Sequence, residues 1–143
     1  MLFGVIGGDR RQAELLKLLR QDGYQAAAYG AAGEMDWERA VSAEVVVLPL
    51  PLCREGDTIN IEGEQRGIGA LLRQMRQNQL LLAGQVKPAQ AAEAAELDLN
   101  LIDYFKREEL TVANAAATAE GTVQVILERL ERSLLGSRCL VLG

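Results

Sequence analysis

Charged side chains that could bind a small anion follow the first predicted strand. The stretch Val5–Gln12 reads VIGGDRRQ, so Asp9 and Arg11 come directly after an apolar run that two glycines close. In an open α/β sheet, ligands bind just beyond the carboxyl ends of the strands. Arg11 could hold a carboxylate bidentately, and the Gly8–Asp9 turn could offer backbone N–H groups. The simpler interpretation is that Asp9 caps the next helix and Arg11 faces solvent.

Two prolines mark a second predicted strand end. Pro49 and Pro51 follow the apolar run Val45–Leu48, and they could form a pocket wall or simply end the strand, since proline donates no ladder hydrogen bond. Cys53 lies in the polar loop that follows. The chain has no histidine to activate this thiol, so we expect it to be inert.

A third group of candidate residues precedes a predicted long helix over 122–135. Thr118 is expected to be the N-cap, with Glu120 in the first turn, and helix N-terminal N–H groups form a ready anion site. Capping alone explains Thr118 equally well. Asp9, Glu120 and Lys106 could act as acid–base groups, but no pattern assigns a catalytic residue.

Composition excludes several classes of function. The 143 residues carry 20 acidic and 15 basic side chains, a net charge of −5, which argues against nucleic-acid binding. No apolar run approaches the ~20 residues that span a bilayer, and the N-terminus does not resemble a signal peptide, so a cytoplasmic protein is expected. The lack of histidine removes His-based catalysis and most zinc chemistry, and two cysteines suggest neither a disulfide framework nor a metal site.

The elements that would position these residues alternate as βαβ units. This alternation predicts an α/β fold, a three-layer αβα Rossmann-like or flavodoxin-like domain with an open parallel five-stranded sheet of order 2-1-3-4-5. A long C-terminal linker helix follows it. The predicted strands are Leu2–Ile6, Gln25–Tyr29, Val45–Leu48, Leu80–Gly84 and Leu99–Ile102.

The last residues predict the start of another domain. Arg138–Gly143 reads as a fresh strand closing on glycine, as at the entry to a dinucleotide-binding βαβ unit, with Gly143 the first cofactor-binding glycine. We therefore predict a substrate-side domain over 1–135 and a truncated NAD(P)-binding domain from 136 to 143. The alternative is that this strand completes the same sheet. By contrast, the spacing of Gly4, Gly7 and Gly8 is G-x-x-G-G, which favours a tight turn over a nucleotide loop.

Four segments of the chain resemble the N-terminal domain of the dipicolinate synthase A-subunit. They are VIGGDRRQ at 5–12, VVVLPLP at 45–51, NAAATAEGTVQVILE at 114–128 and GSRCLVLG at 136–143. The resemblance implies an oxidoreductase that uses NADP or NAD to convert a dihydrodipicolinate-type precursor to dipicolinate in the mother cell of a sporulating bacterium.

The same resemblance implies a flavoprotein-like partner, the dipicolinate synthase B-subunit, and a small dicarboxylate substrate bound in the cleft between two Rossmann-like domains. Arg11, the Gly8–Asp9 turn and the Thr118 helix start would contact this substrate, with Pro49, Pro51 and Glu120 close by. The cofactor would be bound mainly by the missing domain, so this chain alone should be inactive. Its long helix would expose an apolar seam and thereby favour a homodimer.

Rival interpretations differ in the residues that they require. A response-regulator receiver needs a phosphoacceptor Asp after the third strand, where this chain has Pro49 and Pro51. A flavodoxin needs a hydroxyl-rich phosphate loop, which GGDRRQ does not provide. The substrate domain of another two-domain dehydrogenase, of the alanine or 2-hydroxyacid type, stays open because fold does not determine substrate.

Overall fold

The computed structural model describes residues 1–131 and 133–141. The chain forms two compact units, Met1–Arg107 and Glu108–Gly143. The first unit contains strands and helices in alternation, and the second contains one long helix. The strands are β1 (Leu2–Ile6), β2 (Gln25–Ala31), β3 (Glu34–Met35), β4 (Val45–Val47), β5 (Leu80–Ala83) and β6 (Asn100–Asp103). The helices are α1 (Arg10–Gln21), α2 (Trp37–Val41), α3 (Ile68–Leu72), α4 (Pro88–Glu96) and α5 (Glu108–Arg129), with a 3₁₀ turn at Tyr104–Lys106.

The strands form one six-stranded sheet of order β3-β2-β1-β4-β5-β6. Its five longer strands are parallel and follow the predicted order 2-1-3-4-5, so the predicted α/β class is confirmed. The sixth strand, β3, pairs antiparallel with the end of β2 through a turn in which Ala32 and Gly33 have positive φ. The prediction missed β3 because two residues are too few to show a period.

Helices cover both faces of this sheet. On one face α1 buries Leu16 against Val5 of β1 and the alanines of β2. On the other face α2, α3 and α4 pack over a larger core that includes Ile6, Val46 and Leu81. Alternate residues of each strand point to opposite faces, so both layers need apolar strands. The Ala-rich β2 and Val-rich β4 meet this need.

The helix α1 starts with a capping box, in which Asp9 is the cap as predicted and Gln12 is its partner. The Asp9 carboxylate accepts a hydrogen bond from the N–H of Arg11 at 2.9 Å, and the Gln12 side chain accepts one from the N–H of Asp9 at 3.3 Å. These bonds satisfy N–H groups that have no partner within the helix. The helix therefore begins at Arg10, one short turn after β1 ends at Ile6, which places Arg11 at that edge of the sheet.

The side chain of Gln79 anchors the start of β5. Only 2% exposed, it donates to the carbonyls of Val41 and Ala43 at 2.7 and 2.5 Å, and accepts from the N–H of Arg76 at 2.6 Å. Its side-chain amide thus ties β5 to the segment that joins α2 to β4. No charged group could satisfy two carbonyls and one N–H in this way.

We expect Gln79→Leu to lower the free energy of unfolding by about 3 kcal/mol, because it leaves buried backbone groups without partners. Urea unfolding of the chain followed by circular dichroism measures this loss. The exposed neighbour Gln77 offers the control, and Gln77→Leu should change the free energy by less than about 0.5 kcal/mol. Equal losses in the two variants would contradict the anchoring role.

The long helix differs from its predicted form. The predicted helix over 122–135 instead begins at Glu108 and ends at Arg129, and none of its described residues is buried. Ala-rich sequence and two acidic residues in the first turn favour helix well before Thr118. The hydroxyl of Thr118 donates to the carbonyl of Asn114 at 2.7 Å, within the helix. The predicted N-cap at Thr118 is therefore wrong, as is the anion site at that helix start.

The predicted strand at the end of the chain is not formed in its described part. Residues 138–141 have no regular secondary structure. Gly143, the predicted cofactor-binding glycine, lies outside the described residues. Among the described helices, none combines the length and hydropathy that a membrane span requires.

Candidate functional site

The loops that follow β1, β4 and β5 meet at the carboxyl edge of the sheet. The N–H of Gly84, after β5, donates to the carbonyl of Pro49 at 3.2 Å, and the N–H of Leu52 donates to the carbonyl of Gly84 at 2.8 Å. After β1, the N–H of Gly8 donates to the carbonyl of Asn60 at 2.7 Å. This edge is where ligands bind in open α/β sheets.

Arg11 is held at this edge by a carboxylate and a carbonyl. Its Nε lies 3.0 and 3.2 Å from the two carboxylate oxygens of Asp9, and its Nη2 lies 2.9 Å from one of them. Nη2 also donates to the carbonyl of Leu50 at 2.6 Å. Asp9 raises the pKa of Arg11, and Arg11 in turn lowers the pKa of Asp9, chiefly through their side-chain hydrogen bonds.

These bonds leave one part of the guanidinium available. Within the described chain Nη1 has no hydrogen-bond partner, and the Arg11 side chain is 52% exposed. The pair of guanidinium nitrogens Nε and Nη2, which could have bound a substrate carboxylate bidentately, instead binds the carboxylate of Asp9. A carboxylate ligand would therefore approach the outer Nη1 side of a guanidinium that the protein already orients.

The segment Leu48–Leu52, which contains both predicted prolines, is bound along its whole length. Five consecutive carbonyls in it each accept a hydrogen bond. In chain order the donors are Tyr104 Oη (3.2 Å), Gly84 N (3.2 Å), Arg11 Nη2 (2.6 Å), Asn60 Nδ2 (3.4 Å) and Asn60 N (2.9 Å). Arg11 therefore rests on a segment that three other residues hold in place.

The two prolines differ in exposure. Pro49 is fully buried, so its ring cannot form the wall of an open pocket, whereas Pro51 is exposed and follows a cis peptide bond. The prediction that both prolines line a binding site is thus wrong for the ring of Pro49. Pro49 instead contributes its backbone carbonyl, which accepts a hydrogen bond from the N–H of Gly84.

Tyr104 is a site residue that the sequence prediction missed. It follows β6 directly, and burial raises the pKa of its hydroxyl to about 12, with the charge of Arg11 opposing that rise. The hydroxyl therefore stays protonated and donates to the carbonyl of Leu48 at 3.2 Å. The available signal was its position just after the fifth predicted strand, at the same edge as Arg11.

The backbone N–H groups of the first turn have acceptors inside the protein. The N–H of Gly7 bonds the carbonyl of Tyr29 at 2.8 Å, and those of Gly8 and Asp9 bond Asn60 and Gln12. The predicted anion contacts through the Gly8–Asp9 turn would require these bonds to break. Arg11 is therefore the donor at this turn that is best placed for a ligand.

The glycines of the turn are explained by packing. A Cβ at Gly7, whose φ is +63°, would lie 2.8 Å from the side chain of Ile61. A Cβ at Gly8 would overlap the Gln12 side chain. The loop after β4 thus passes close over this turn, which agrees with the predicted turn rather than a phosphate loop.

The predicted residues Thr118 and Glu120 lie in the second unit. Both are exposed positions in the middle of α5. Among the residues that the structure describes, no three His, Cys, Asp or Glu side chains are arranged to hold a metal ion.

A groove of about 560 Å³ lies elsewhere, between α2 and the end of α3. Several of its polar groups bond one another or the backbone: Trp37 Nε1 donates to Gln74 at 3.3 Å, and Arg76 donates to the carbonyl of Ser42 at 2.6 Å. No residue predicted to bind substrate lines it. The convergence of loops at the carboxyl edge makes that edge the better candidate.

The thiol of Cys53 is half-buried, and burial raises its pKa. Gln90 Nε2 lies 3.3 Å from its sulfur. A raised pKa means less thiolate at pH 8, so this thiol should react slowly with an alkylating reagent. We expect Cys139, which is exposed, to react with iodoacetamide about tenfold faster or more.

The alkylation rates can be separated with Cys53→Ser and Cys139→Ser, each of which keeps one thiol. Mass spectrometry at pH 8 gives both rates. A Cys53 that reacts as fast as Cys139 would show an activated thiol and contradict the prediction of an inert one.

Comparison with known proteins shows a family and a fold. The family model described as the dipicolinate synthase A-subunit N-terminal domain matches residues 2–105. The chain is similar to the crystal structure of dipicolinate synthase, A chain, from Bacillus subtilis, with 17% identity and a TM-score of 0.66 over 93% of this chain and 49% of that one.

A second crystal structure, that of the dipicolinate synthase A-subunit from Bacillus halodurans, is also 17% identical. Its TM-score is 0.72, over 93% of this chain and 50% of that one. The chain therefore spans about half the length of the solved structures that it matches. No protein with a curated description matches it.

Proposed function

The chain belongs to the family of dipicolinate synthase A-subunit N-terminal domains, and we propose on this premise that it is the substrate-side domain of an NAD(P)-dependent oxidoreductase. The whole protein would oxidise a dihydrodipicolinate-type precursor to dipicolinate in the cytoplasm of a sporulating bacterium. The observation that carries the proposal is the family match across nearly all of the first unit, Met1–Arg107.

The geometry of Arg11 supports a substrate that carries a carboxylate, as the proposed dicarboxylate does. Its guanidinium stands at the carboxyl edge of the sheet, more than half exposed, with Nη1 directed to no described protein acceptor. A fixed guanidinium binds a carboxylate without the entropic cost of ordering a free side chain. Arg11 would thus orient one carboxylate of the substrate.

The proposed cofactor is NADP or NAD, which supplies the hydride acceptor. Hydride transfer requires the nicotinamide to lie against the substrate, so the reaction needs a second domain as well as this one. The described residues contain no G-x-G-x-x-G stretch, and Gly7 and Gly8 are needed for packing. We therefore assign cofactor binding mainly to the rest of the whole protein, and expect this chain alone to be inactive.

The dipicolinate synthase B-subunit is the proposed partner in this reaction. The test mixes the whole protein, this partner, the precursor and either NADP or NAD, and follows dipicolinate by its ultraviolet absorbance. The present chain is assayed in parallel. We expect dipicolinate from the whole protein and none from the chain. If the whole protein binds the cofactor but forms no dipicolinate, the proposal of a dehydrogenase would stand and the proposed substrate would be rejected.

A further inference from the structure

The backbone segment that accepts a hydrogen bond from Arg11 is itself bound by the hydroxyl of Tyr104. Arg11 donates to the carbonyl of Leu50, and the carbonyl two residues earlier, on Leu48, accepts from Tyr104. Leu48 is fully buried, so its carbonyl has little access to water as an alternative donor. Tyr104 is thus the side chain that holds the segment where it leaves β4.

The ring of Tyr104 also fixes the place of Leu50. Gly84 lies between the two side chains, and a Cβ there would be 3.0 Å from Tyr104 Cε2 and 2.6 Å from Leu50 Cδ1. Such tight packing limits the movement of Leu50 relative to the ring. The hydroxyl and the ring of Tyr104 therefore constrain the same three-residue stretch, Leu48–Leu50.

We propose that Tyr104 is a positioning residue for Arg11, acting through Leu48–Leu50 to hold the guanidinium in its substrate-binding orientation. This inference rests on the proposed function, in which Arg11 binds a carboxylate of the substrate. Tyr104 itself need not touch the substrate. Since burial raises the pKa of Tyr104 to about 12, its hydroxyl remains a donor to Leu48 even in mildly alkaline solution.

The test is a double-mutant cycle in the whole protein, with dipicolinate as the ligand and calorimetry to measure its Kd. Tyr104→Phe removes the hydroxyl and keeps the ring. We expect it to raise the Kd about three- to tenfold, the range for loss of one neutral hydrogen bond. The same change in an Arg11→Ala background should raise it less than about 1.5-fold, because residues that act through one another are not additive.

The matched control is Tyr24→Phe, which alters an exposed tyrosine that packs edge-on against Phe3. It should leave the Kd unchanged in both backgrounds. Equal effects of Tyr104→Phe in the two backgrounds, or no effect in either, would overturn the positioning role. If Arg11→Ala alone leaves the Kd unchanged, the proposed substrate contact fails instead.

A second measurement keeps the inference testable if Tyr104→Phe lowers stability. The exchange of the Arg11 Nε hydrogen with water can be followed by NMR in this chain without ligand. Its signal is identified by its loss in Arg11→Lys. We expect exchange to be about threefold faster or more in Tyr104→Phe than in Tyr24→Phe. Unchanged exchange would show that Tyr104 does not hold Arg11.

Discussion

Replacing Arg11 with alanine should weaken the binding of dipicolinate to the whole protein by about 10- to 100-fold. The substitution removes a charged donor, and hydrogen bonds to charged groups contribute about 1.5–3 kcal/mol each. The effect should appear in the KM of the precursor as well, with a smaller change in kcat, because Arg11 holds a carboxylate rather than the reacting carbons. Calorimetry with dipicolinate and steady-state kinetics measure the two quantities.

The same helix provides a matched control for this substitution. Arg20 also pairs with a carboxylate, that of Glu34, at 2.6 Å and also donates to a backbone carbonyl, that of Ala26, at 2.9 Å. It lies at the opposite end of α1, near the amino end of β2. Arg20→Ala should therefore leave the Kd within about twofold. Equal weakening by both variants would point to a loss of helix stability instead of a binding contact.

Gly4→Ala should destabilise the first unit by at least about 3 kcal/mol, at or beyond the upper end of the usual cost of overpacking a core. A Cβ at Gly4 would overlap the carbonyl oxygen of Ala40 and lie 2.7 Å from the carbonyl carbon. The obstacle is the backbone of α2, which cannot rotate aside as a side chain can. Urea unfolding of the chain should show a lower midpoint or a loss of cooperative folding.

Gly67→Ala is the control for this prediction. Nothing lies within 4 Å of a Cβ at Gly67, and its φ of −75° suits any residue. This change should shift the free energy of unfolding by less than about 1 kcal/mol. A Gly4→Ala protein as stable as Gly67→Ala would show that α2 can move away from β1.

The prediction of the fold succeeded where one local pattern decided the structure. The run Val45–Leu48 is uniformly apolar because β4 lies between two neighbours and under helices on both faces. Asp9 and Gln12 have capping-box spacing, and α1 begins there. The order of the parallel strands followed from right-handed crossovers, which apply to any such alternation.

Prediction was weaker where local preferences compete. Thr118 suits an N-cap, but it also fits inside a helix, where its hydroxyl can bond a carbonyl of the preceding turn. The Ala-rich residues before it favour helix, so α5 starts at Glu108. In the same way, the spacing of Gly4 indicates a turn, whereas Gly4 lies within β1 and permits the close approach of α2 to that strand.

By itself the sequence determined the class of fold, the parallel strand order, the position of Arg11 after β1 and the family resemblance of the chain. Periodicity, capping and composition carry this information because each depends on residues that are neighbours along the chain. Only the tertiary structure decided that the Arg11 fork belongs to Asp9 and Leu50, that Pro49 is buried, and that Tyr104 supports the edge. The contacts of Arg11 with Leu50, and of Tyr104 with Leu48, join residues 39 and 56 positions apart, which no local pattern can indicate.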